Sequence, residues 1–392
     1  MLKLLEEPDP SNLMTSQDSF KLIKHSMISM GWIPPEGGWT PVRKVIAIII
    51  VAWSTVYVPI GIYITFYVGF KNLSVTEVLS ALQVAINATG FAFKLLFLRL
   101  NLSSYYKIKD LLVLMDARCI DVQERIEVHR WVARCNIAYL IYQAIFTTYT
   151  ASTYIIAAFS RMAPWNIYYP FIDWHDGSMS LWIVSVLELI PMYLIVYKTA
   201  MVDCFSLLFS LILRAHIKLL RQRVEKLCTD PSKSDDDNNK ELENCIEDHK
   251  RILEYASIMR PMIEPVIFVQ FLLVGLVLGI SMINLTFFAD SWARLSTLAY
   301  IFLQIAQTFP FCGTCDLIIE DCESLAVAIF HSNWRSASRR YVSTLFYFLQ
   351  NVQVPISFTA GSIFPIGLST NIKVAKLAFS VVTFVNQLGL GQ

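Results

Sequence analysis

The chain has 392 residues, of which 55% are hydrophobic and only 16% are charged, and its formal net charge is +1. Its mean hydropathy is clearly positive, whereas soluble globular domains carry about 25% charged residues. This composition excludes a soluble domain and predicts an integral membrane protein.

Seven segments approach or exceed the roughly 20 apolar residues that cross a bilayer as a helix. In chain order they lie at about 45–70, 78–98, 131–159, 181–213, 263–288, 295–319 and 366–388. The N-terminal residues are mixed and polar, without the apolar core and cleavage site of a signal peptide. The sequence therefore predicts an all-α membrane protein with seven transmembrane helices.

Lysine and arginine concentrate in the connections after the second, fourth and sixth spans. On the opposite side there are only Lys71, Arg161 and Arg294. Because basic loops stay in the cytosol, we predict a cytoplasmic N-terminus and an extracellular C-terminus. This orientation is opposite to that of a G-protein-coupled receptor.

Cysteines and glycosylation sequons agree with that orientation. All eight cysteines fall in segments assigned to the cytosol or to the inner halves of spans, where thiols stay reduced. Sequons occur at Asn72, Asn87, Asn101 and Asn284, but only Asn72 lies in an external loop away from the bilayer. Asn72 is therefore the predicted glycosylation site.

Motifs of soluble chemistry are absent from the sequence. The pair Cys312 and Cys315 has no histidine partner at zinc-site spacing, which favours two buried packing residues. The acidic run at 232–241 lacks the glycine and terminal glutamate of a calcium loop, and we interpret it as a solvated cytoplasmic loop. We predict no enzymatic activity, no cofactor, no metal and no nucleic-acid partner.

The region after residue 315 reads as two cytosolic helices. Four acidic residues between 316 and 323 would be rejected by hydrocarbon, so the sixth helix is predicted to continue into the cytosol. Residues 339–354 read as a separate helix with Leu345, Phe348 and Val352 on one side, ended by Pro355. The seventh element is thus predicted to be split into a cytosolic part and a spanning part.

The same region carries a family resemblance. It contains, in order, an acidic and serine-containing stretch, "AVAIFHSNW", a basic patch, an amphipathic helix ending "QVP", and a last span with "LST" and "AFSVVTF". This pattern resembles the C-terminal third of insect odorant receptors. Insect gustatory receptors share the architecture, but the usual ending of their last span is followed only loosely by "SVVTFVNQL".

The resemblance implies an ion channel of four subunits, built with a shared coreceptor. It implies that the cytosolic helix ends pack between subunits and that each seventh span lines a central ion pathway. The sequence then divides into a cytoplasmic segment (1–44), six transmembrane helices with loops (45–315), a cytosolic helical anchor (316–354) and the pore-lining helix (355–392).

The last span carries a polar stripe that suits such a pathway. Lys376, Ser380, Thr383 and Gln387 recur at the spacing of one helix face. An alternative remains open, in which the hydroxyls bond their own backbone and Gln387 marks the outer interface. The predicted pore-lining residues are Ser380, Val382, Thr383, Asn386 and Gln387. Asn386 is more polar than the aliphatic residue of the coreceptor's gate, which fits a subunit that relies on a partner.

Ligand recognition is predicted in the outer half of the bundle, in an aromatic-lined cavity with a few polar groups. The candidate residues are Leu82, Ile86, Tyr142, Phe146, Tyr149, Thr150, Trp182, Ile183, Leu187, Tyr300, Leu303 and Gln304. For each residue taken singly, ordinary packing between helices is the competing interpretation.

Three charged residues of the fourth span need separate explanations. Glu188 is costly at membrane depth and is interpreted as a partner of a polar ligand or part of a hydrated vestibule, as bonded to a neighbouring Tyr or Ser, or as lying near the outer interface. Lys198 and Asp203, which lie five residues apart, are predicted to pair with each other or with interfacial water.

The sequence therefore predicts an odorant-gated, non-selective cation channel subunit in the plasma membrane of sensory neurons. Its predicted partners are a small volatile odorant, the odorant receptor coreceptor and membrane lipid. The alternatives are a gustatory-type receptor channel, a G-protein-coupled chemoreceptor, and a secondary transporter, for which the internal repeats are not seen.

Overall fold

The computed structural model describes residues 12–35, 37–38, 40–69, 75–289, 291–335 and 337–387. Its helices are α1 (Lys21–Ser29), α2 (Pro41–Ala52), α3 (Val58–Gly69), α4 (Val75–Leu100), α5 (Leu102–Asp116), α6 (Val122–Ser160), α7 (Ser178–Glu225), α8 (Asp235–Ile283), α9 (Ser291–His331), α10 (Arg339–Val352) and α11 (Leu368–Gln387). Single π-helical turns join α2 to α3 (Trp53–Tyr57) and extend α8 (Asn284–Phe288). The prediction of an all-α fold is confirmed.

Six helical segments within the described residues are long and apolar enough to cross a membrane. They are Pro41–Val68, Val78–Leu100, Ser178–Glu225, Asp235–Phe288, Arg294–His331 and Leu368–Val385. The predicted third span lies within α6, which is 39 residues long but less apolar, because tyrosine, threonine and glutamine side chains interrupt its hydrophobic run. The predicted glycosylation site, Asn72, lies outside the described residues.

The acidic run at 232–241 begins a helix, so its interpretation as a loop was wrong. Ser234 and Asp237 form a capping box at the start of α8, in which each side chain bonds the other residue's backbone N–H. Asp235 and Asp236 lie in the same first turn. Negative charge is favoured there by the helix dipole.

The N-terminal segment packs into the bundle. The Ser16 hydroxyl and backbone N–H donate to the two oxygens of Asp116 on α5 at 2.6 and 2.8 Å. Burial raises the pKa of Asp116, and the hydrogen bonds from Ser16 oppose that rise. Ser26 on α1 bonds the Tyr139 hydroxyl on α6 at 2.9 Å, so α1 is tied to the helix that lies on one side of the cavity described below.

The last element is split, as predicted. On α10 the side chains of Tyr341, Leu345, Phe348 and Val352 are buried. A two-residue antiparallel hairpin, Thr359–Ala360 with Phe364–Pro365, then leads into α11. We call the end of the bundle that carries α10 the α10 end, and the end that carries residues 161–177 the loop end.

Candidate ligand cavity and pore-helix face

A cavity of about 260 Å³ lies at the loop end between α4, α6 and α9. We call it the deep cavity. Its lining comprises Thr76, Ser80, Ala81, Gln83, Val84, Tyr149, Thr153, Pro164, Trp165, Asn166, Ser296, Thr297 and Tyr300. Aromatic rings and small hydroxyl side chains therefore share the wall, which suits a small molecule with one or two polar atoms.

Two stacked tyrosines form the aromatic part of the wall. The rings of Tyr149 on α6 and Tyr300 on α9 have centroids 5.8 Å apart. The Asn87 amide donates to the Tyr300 hydroxyl, and that hydroxyl donates to the Gln83 carbonyl of α4 at 3.5 Å. The tyrosine pair therefore joins three helices around the cavity.

Some buried polar atoms near the cavity lack a partner among the described residues. The Gln83 side-chain nitrogen is one of them, and both polar atoms of the Gln304 carboxamide are others. The Gln304 carboxamide lies close to the Tyr300 hydroxyl but makes no well-aligned hydrogen bond with it. Unpaired buried polar groups are costly, and of these two glutamines it is Gln83 that lines the deep cavity.

The structure places the candidate residues in three groups. Tyr149 and Tyr300 line the deep cavity. Five others are buried in the helix contacts nearby: Tyr142, Phe146, Thr150, Leu303 and Gln304. The remaining five do not line the deep cavity: Leu82, Ile86, Trp182, Ile183 and Leu187.

The last group has identifiable surroundings. Ile86 packs on the hydrophobic core, and Leu82 and Leu187 are half-buried. Trp182 and Ile183 are exposed on the surface of α7, and Trp182 borders a different cavity of about 480 Å³ beside Arg161 and His175. Periodicity alone does not tell which face of a helix turns towards a cavity.

Sequence reasoning did not identify the part of the wall that comes from a connection. Residues 163–167, which we call the partition, follow α6 and place Pro164, Trp165 and Asn166 against the deep cavity. Asn166 and Ile167 also border a second cavity of about 710 Å³, which we call the surface cavity. No periodic pattern marks such a loop.

Glu188 explains why the loop folds inwards. Its side chain is fully buried, and its two oxygens accept hydrogen bonds from the backbone N–H groups of Trp165 at 2.8 Å and Ile167 at 2.7 Å. These partners are backbone amides of the loop and not the Tyr or Ser side chain that one sequence interpretation offered, while a role towards a ligand or vestibule stays a prediction. The carboxylate was a visible signal in the sequence, whereas its backbone partners were not.

The following residues are fixed to the first span and to α7. The Tyr168 N–H donates to the Gly61 carbonyl at 3.2 Å, and the Tyr57 hydroxyl donates to the Tyr168 carbonyl at 2.7 Å. A methyl group at Gly61 would overlap the side chain of Ile167. Glycine therefore permits this close approach.

A buried ion pair crosses the bundle between the deep cavity and the α10 end. The Lys94 ammonium on α4 lies 2.5 Å from Asp203 Oδ1 on α7 and donates to Gln270 Oε1 on α8 at 2.6 Å. The Gln270 amide donates to Gln307 Oε1 on α9 at 2.7 Å. We call these four residues, one from each of four helices, the polar network.

The predicted pairing of Lys198 with Asp203 is wrong. Lys198 instead donates to the Ser54 hydroxyl in the π-helical turn of the first span at 2.8 Å. Residues five apart on a helix are about 140° apart around its axis. The two side chains therefore point to different neighbours.

Helix α11 contacts the rest of the chain through one side only. Ala378 is buried and packs with Val274 and Leu278 of α8. Lys376, Ser380, Thr383 and Gln387 are exposed, and at about 100° per residue they lie opposite Ala378. The polar stripe therefore points away from this chain's own bundle.

The alternative interpretation of the polar stripe, in which its hydroxyls bond their own helix backbone, holds for two residues. The Ser380 hydroxyl donates to the Lys376 carbonyl at 3.0 Å, and the Thr383 hydroxyl donates to the Phe379 carbonyl at 3.3 Å. Each hydroxyl oxygen still has acceptor capacity on the exposed surface. For the predicted pore residues Val382 and Asn386 only the helical backbone belongs to the described structure.

Side chains of α9 hold the first turns of α11. The Asp316 carboxylate accepts from the Leu368 N–H at 2.9 Å, where a helix N-terminus favours negative charge. Asn371 donates to the Thr308 hydroxyl at 3.1 Å. Since Thr308 follows Gln307 of the polar network, α9 connects the deep cavity, the network and α11.

These features define a multi-pass membrane receptor with a ligand-sized cavity. The family model for the 7tm odorant receptor matches residues 74–379. Odorant receptor 98a of Drosophila melanogaster is 51% identical over 100% of this chain and 98% of its own length. For odorant receptor 42b of the same species the identity is 44%, over 96% and 94%. The chain belongs to the insect odorant receptor family.

The fold agrees with solved structures of that class. The insect olfactory receptor OR5 from Machilis hrabei superposes with a TM-score of 0.77 at 15% identity, over 94% of this chain and 97% of that chain. The same receptor in complex with eugenol gives a TM-score of 0.73 at 15% identity, over 94% and 98%. At this identity the likeness establishes the fold.

Proposed function

We propose that this chain is an odour-tuned subunit of a ligand-gated, non-selective cation channel in the plasma membrane of sensory neurons. It binds a small volatile molecule in the deep cavity and opens a pore formed by four α11 helices, together with a coreceptor. The ligand acts by binding the open arrangement more tightly than the closed one.

The deep cavity supports the ligand part of this proposal. Pockets for drug-sized ligands measure about 300–1,000 Å³, and a volume of about 260 Å³ suits a smaller, volatile molecule. Tyr149 and Tyr300 supply aromatic contact area, and the unpaired Gln83 amide supplies one orienting hydrogen bond. The eugenol complex of the Machilis receptor gives a precedent for an aromatic volatile.

The position of the polar stripe on α11 is the observation that carries the channel part. A helix facing lipid on that side would leave Lys376 and Gln387 in hydrocarbon, where polar groups are costly. Four such helices around a water-filled axis hydrate the same groups. The apolar side chains Leu377 and Phe384, which are also exposed, then pack against neighbouring subunits or lipid.

The family resemblance supplies the cation selectivity, the tetramer and the coreceptor. It also suggests that residues 316–354 act as the anchor between subunits. Exposed ionic contacts at the α10 end fit an aqueous surface, since Arg340 lies 3.5 Å from Glu243 and both side chains are mostly exposed. This agrees with the predicted cytosolic side of the bundle.

Cysteine substitution tests the pore assignment. The receptor is co-expressed with the coreceptor and exposed from outside to a membrane-impermeant thiol reagent in the presence of agonist. Ser380→Cys and Thr383→Cys should lose current, whereas Ala378→Cys, which faces α8, should not. Equal insensitivity of all three variants would contradict the pore.

The G-protein-coupled alternative is tested by the orientation. An epitope at the N-terminus should be inaccessible to antibody on intact cells and become accessible after permeabilisation. An accessible N-terminal epitope on intact cells would favour the alternative.

A further inference from the structure

We propose that Glu188 is a positioning residue of the ligand site: it clamps the partition over the deep cavity and so determines how long the odorant is held. The inference rests on the proposed function, because it takes the deep cavity to be the ligand site. It assigns no contact between Glu188 and the ligand itself.

Glu188 binds the partition through the two backbone amides that flank Asn166. The Glu188 oxygens accept from Trp165 N–H and from Ile167 N–H, at 2.8 and 2.7 Å. Asn166 lies between these two amides, has a φ of 51°, and borders both the deep cavity and the surface cavity. The carboxylate therefore fixes the residue that the two cavity walls share.

The other hydrogen bonds to this loop hold the stretch beyond the partition. Gly61 and Tyr57 bind Tyr168, and the Tyr169 hydroxyl donates to the Leu187 carbonyl at 3.1 Å. In the described part of the chain, the hydrogen bonds that reach residues 163–167 both end on Glu188. Apolar packing of Trp165 and Ile167, which are 8% and 3% exposed, completes the attachment.

A carboxylate suits this task better than an amide. Two backbone donors meet two acceptor oxygens, and such charge-assisted bonds are roughly twice as strong as neutral ones. In Glu188→Gln one oxygen becomes an NH₂ group that faces an N–H donor, at almost unchanged volume. One bond is lost, the partition loosens, and the ligand should leave faster.

The first measurement is electrical. Receptor and coreceptor are co-expressed, and a fixed panel of aromatic volatiles that includes eugenol is applied. Glu188→Gln should raise the half-maximal concentration of active odorants by up to about tenfold, which corresponds to the whole free energy of one such bond. It should also speed current decay after odorant removal, while the saturating current per surface receptor stays unchanged.

A matched control comes from the same helix. Ser210 on α7 is buried, and its hydroxyl has no partner among the described residues. Ser210→Ala should therefore leave potency and decay unchanged. Glu188→Asp, whose shorter side chain cannot reach both amides, should behave as Glu188→Gln does.

The second measurement follows the partition without relying on current. Ala163 is 4% exposed, so Ala163→Cys should react slowly with an impermeant thiol reagent. Adding Glu188→Gln should speed that reaction several-fold, whereas adding Ser210→Ala should not. Native cysteines give little background, because seven of the eight are buried and Cys228 is half-buried.

The outcomes separate this inference from the proposed function. Absence of any odorant current in the unmodified receptor with its coreceptor contradicts the proposed function, while the labelling rates still test the clamp. Unchanged labelling and unchanged decay in Glu188→Gln overturn the clamp. If neither Glu188 variant reaches the surface, Ile167→Pro decides, because proline lacks the N–H that donates to Glu188. Faster labelling and decay than in Ile167→Ala support the clamp, and rates equal to those of Ile167→Ala reject it.

Discussion

Single residues of the deep cavity are expected to act through contact area more than through charge. Tyr149 and Tyr300 stack across the gap between α6 and α9, and a bound ring or chain would lie against the same surface. An aromatic pair contributes about 0.5–1.5 kcal/mol beyond its area burial. Removing one ring therefore reduces affinity without exposing a charge.

Tyr149→Ala should raise the half-maximal odorant concentration about tenfold or more, because the ligand and Tyr300 both lose a stacking surface. Concentration–response curves of the co-expressed channel measure this shift. Phe159→Ala on the same helix, where the ring is 87% exposed, should have no effect. Equal shifts in both variants would argue against the deep cavity.

The Lys94–Asp203 pair should behave as a buried pair whose partners depend on each other. Both side chains are only 3% exposed, so Asp203→Leu leaves an unpaired ammonium and should cost about 3–5 kcal/mol of stability. Thermal unfolding of the detergent-solubilised receptor should show a large loss. The double variant Lys94→Met with Asp203→Leu should recover much of it, and no recovery would contradict the pairing.

At the scale of elements, the attachment of α11 depends on few bonds. Asp316 and Asn371 connect its first turns to α9, and Ala378 contributes the buried side-chain contact with α8. A helix held at one end and along one narrow side can move relative to the bundle at low cost. The bonds at its N-terminus are therefore expected to transmit motion of α9.

Asp316→Ala should reduce the saturating odorant current, because α11 loses the carboxylate that caps it. The loss of a cap typically costs about 1 kcal/mol, so folding should tolerate the change. Current per surface receptor measures the effect. Glu320→Ala, an exposed carboxylate one turn further along α9, serves as the control and should retain full current.

The sequence predicted where the helices lie better than it predicted which residues contact one another. The apolar runs predicted the membrane spans, and the spacing of Leu345, Phe348 and Val352 predicted the buried side of α10, because periodicity is a local property of the sequence. Glu188 was identified as costly, yet its partners Trp165 and Ile167 lie more than 20 residues away on a loop without pattern. Tertiary contacts of that kind leave no trace in composition or spacing.

The cavity residues show the same limit. Of the five aromatic candidates only Tyr149 and Tyr300 line the deep cavity, whereas Gln83 lines it without having been a candidate, because a glutamine on an apolar helix gives no directional signal. The exposed side of α11 was predictable, since polar residues at positions 376, 380, 383 and 387 share one face. The sequence of this chain carries no information on what covers that face.

At the scale of the whole molecule, the chain leaves one apolar helix, α11, largely uncovered. Most of α11 is exposed although its composition is that of a membrane span, with 12% of its apolar window buried. In a four-subunit channel the stripe of each chain would face the others, and charge on it would act on permeating ions.

Lys376→Glu should therefore raise the permeability of Ca²⁺ relative to Na⁺, because a negative group replaces a positive one beside the pathway. Reversal potentials in solutions of different Ca²⁺ content measure the ratio. Lys44→Glu reverses an exposed charge at the start of α2 and should leave the ratio unchanged. A ratio unaffected by Lys376→Glu would place this residue away from the ions.

The continuity of α7 sets a strict requirement on its length. From Met192 to Glu225 no proline interrupts the helix. Along this segment Asp203 pairs with Lys94 on α4, Arg214 lies 2.6 Å from Asp321 on α9, and Arg223 pairs with Glu124 on α6. Inserting one residue between Asp203 and Arg214 would rotate the two halves by about 100°. One set of ionic contacts would then have to break, so related chains should vary in length in their loops and keep this segment at a constant count.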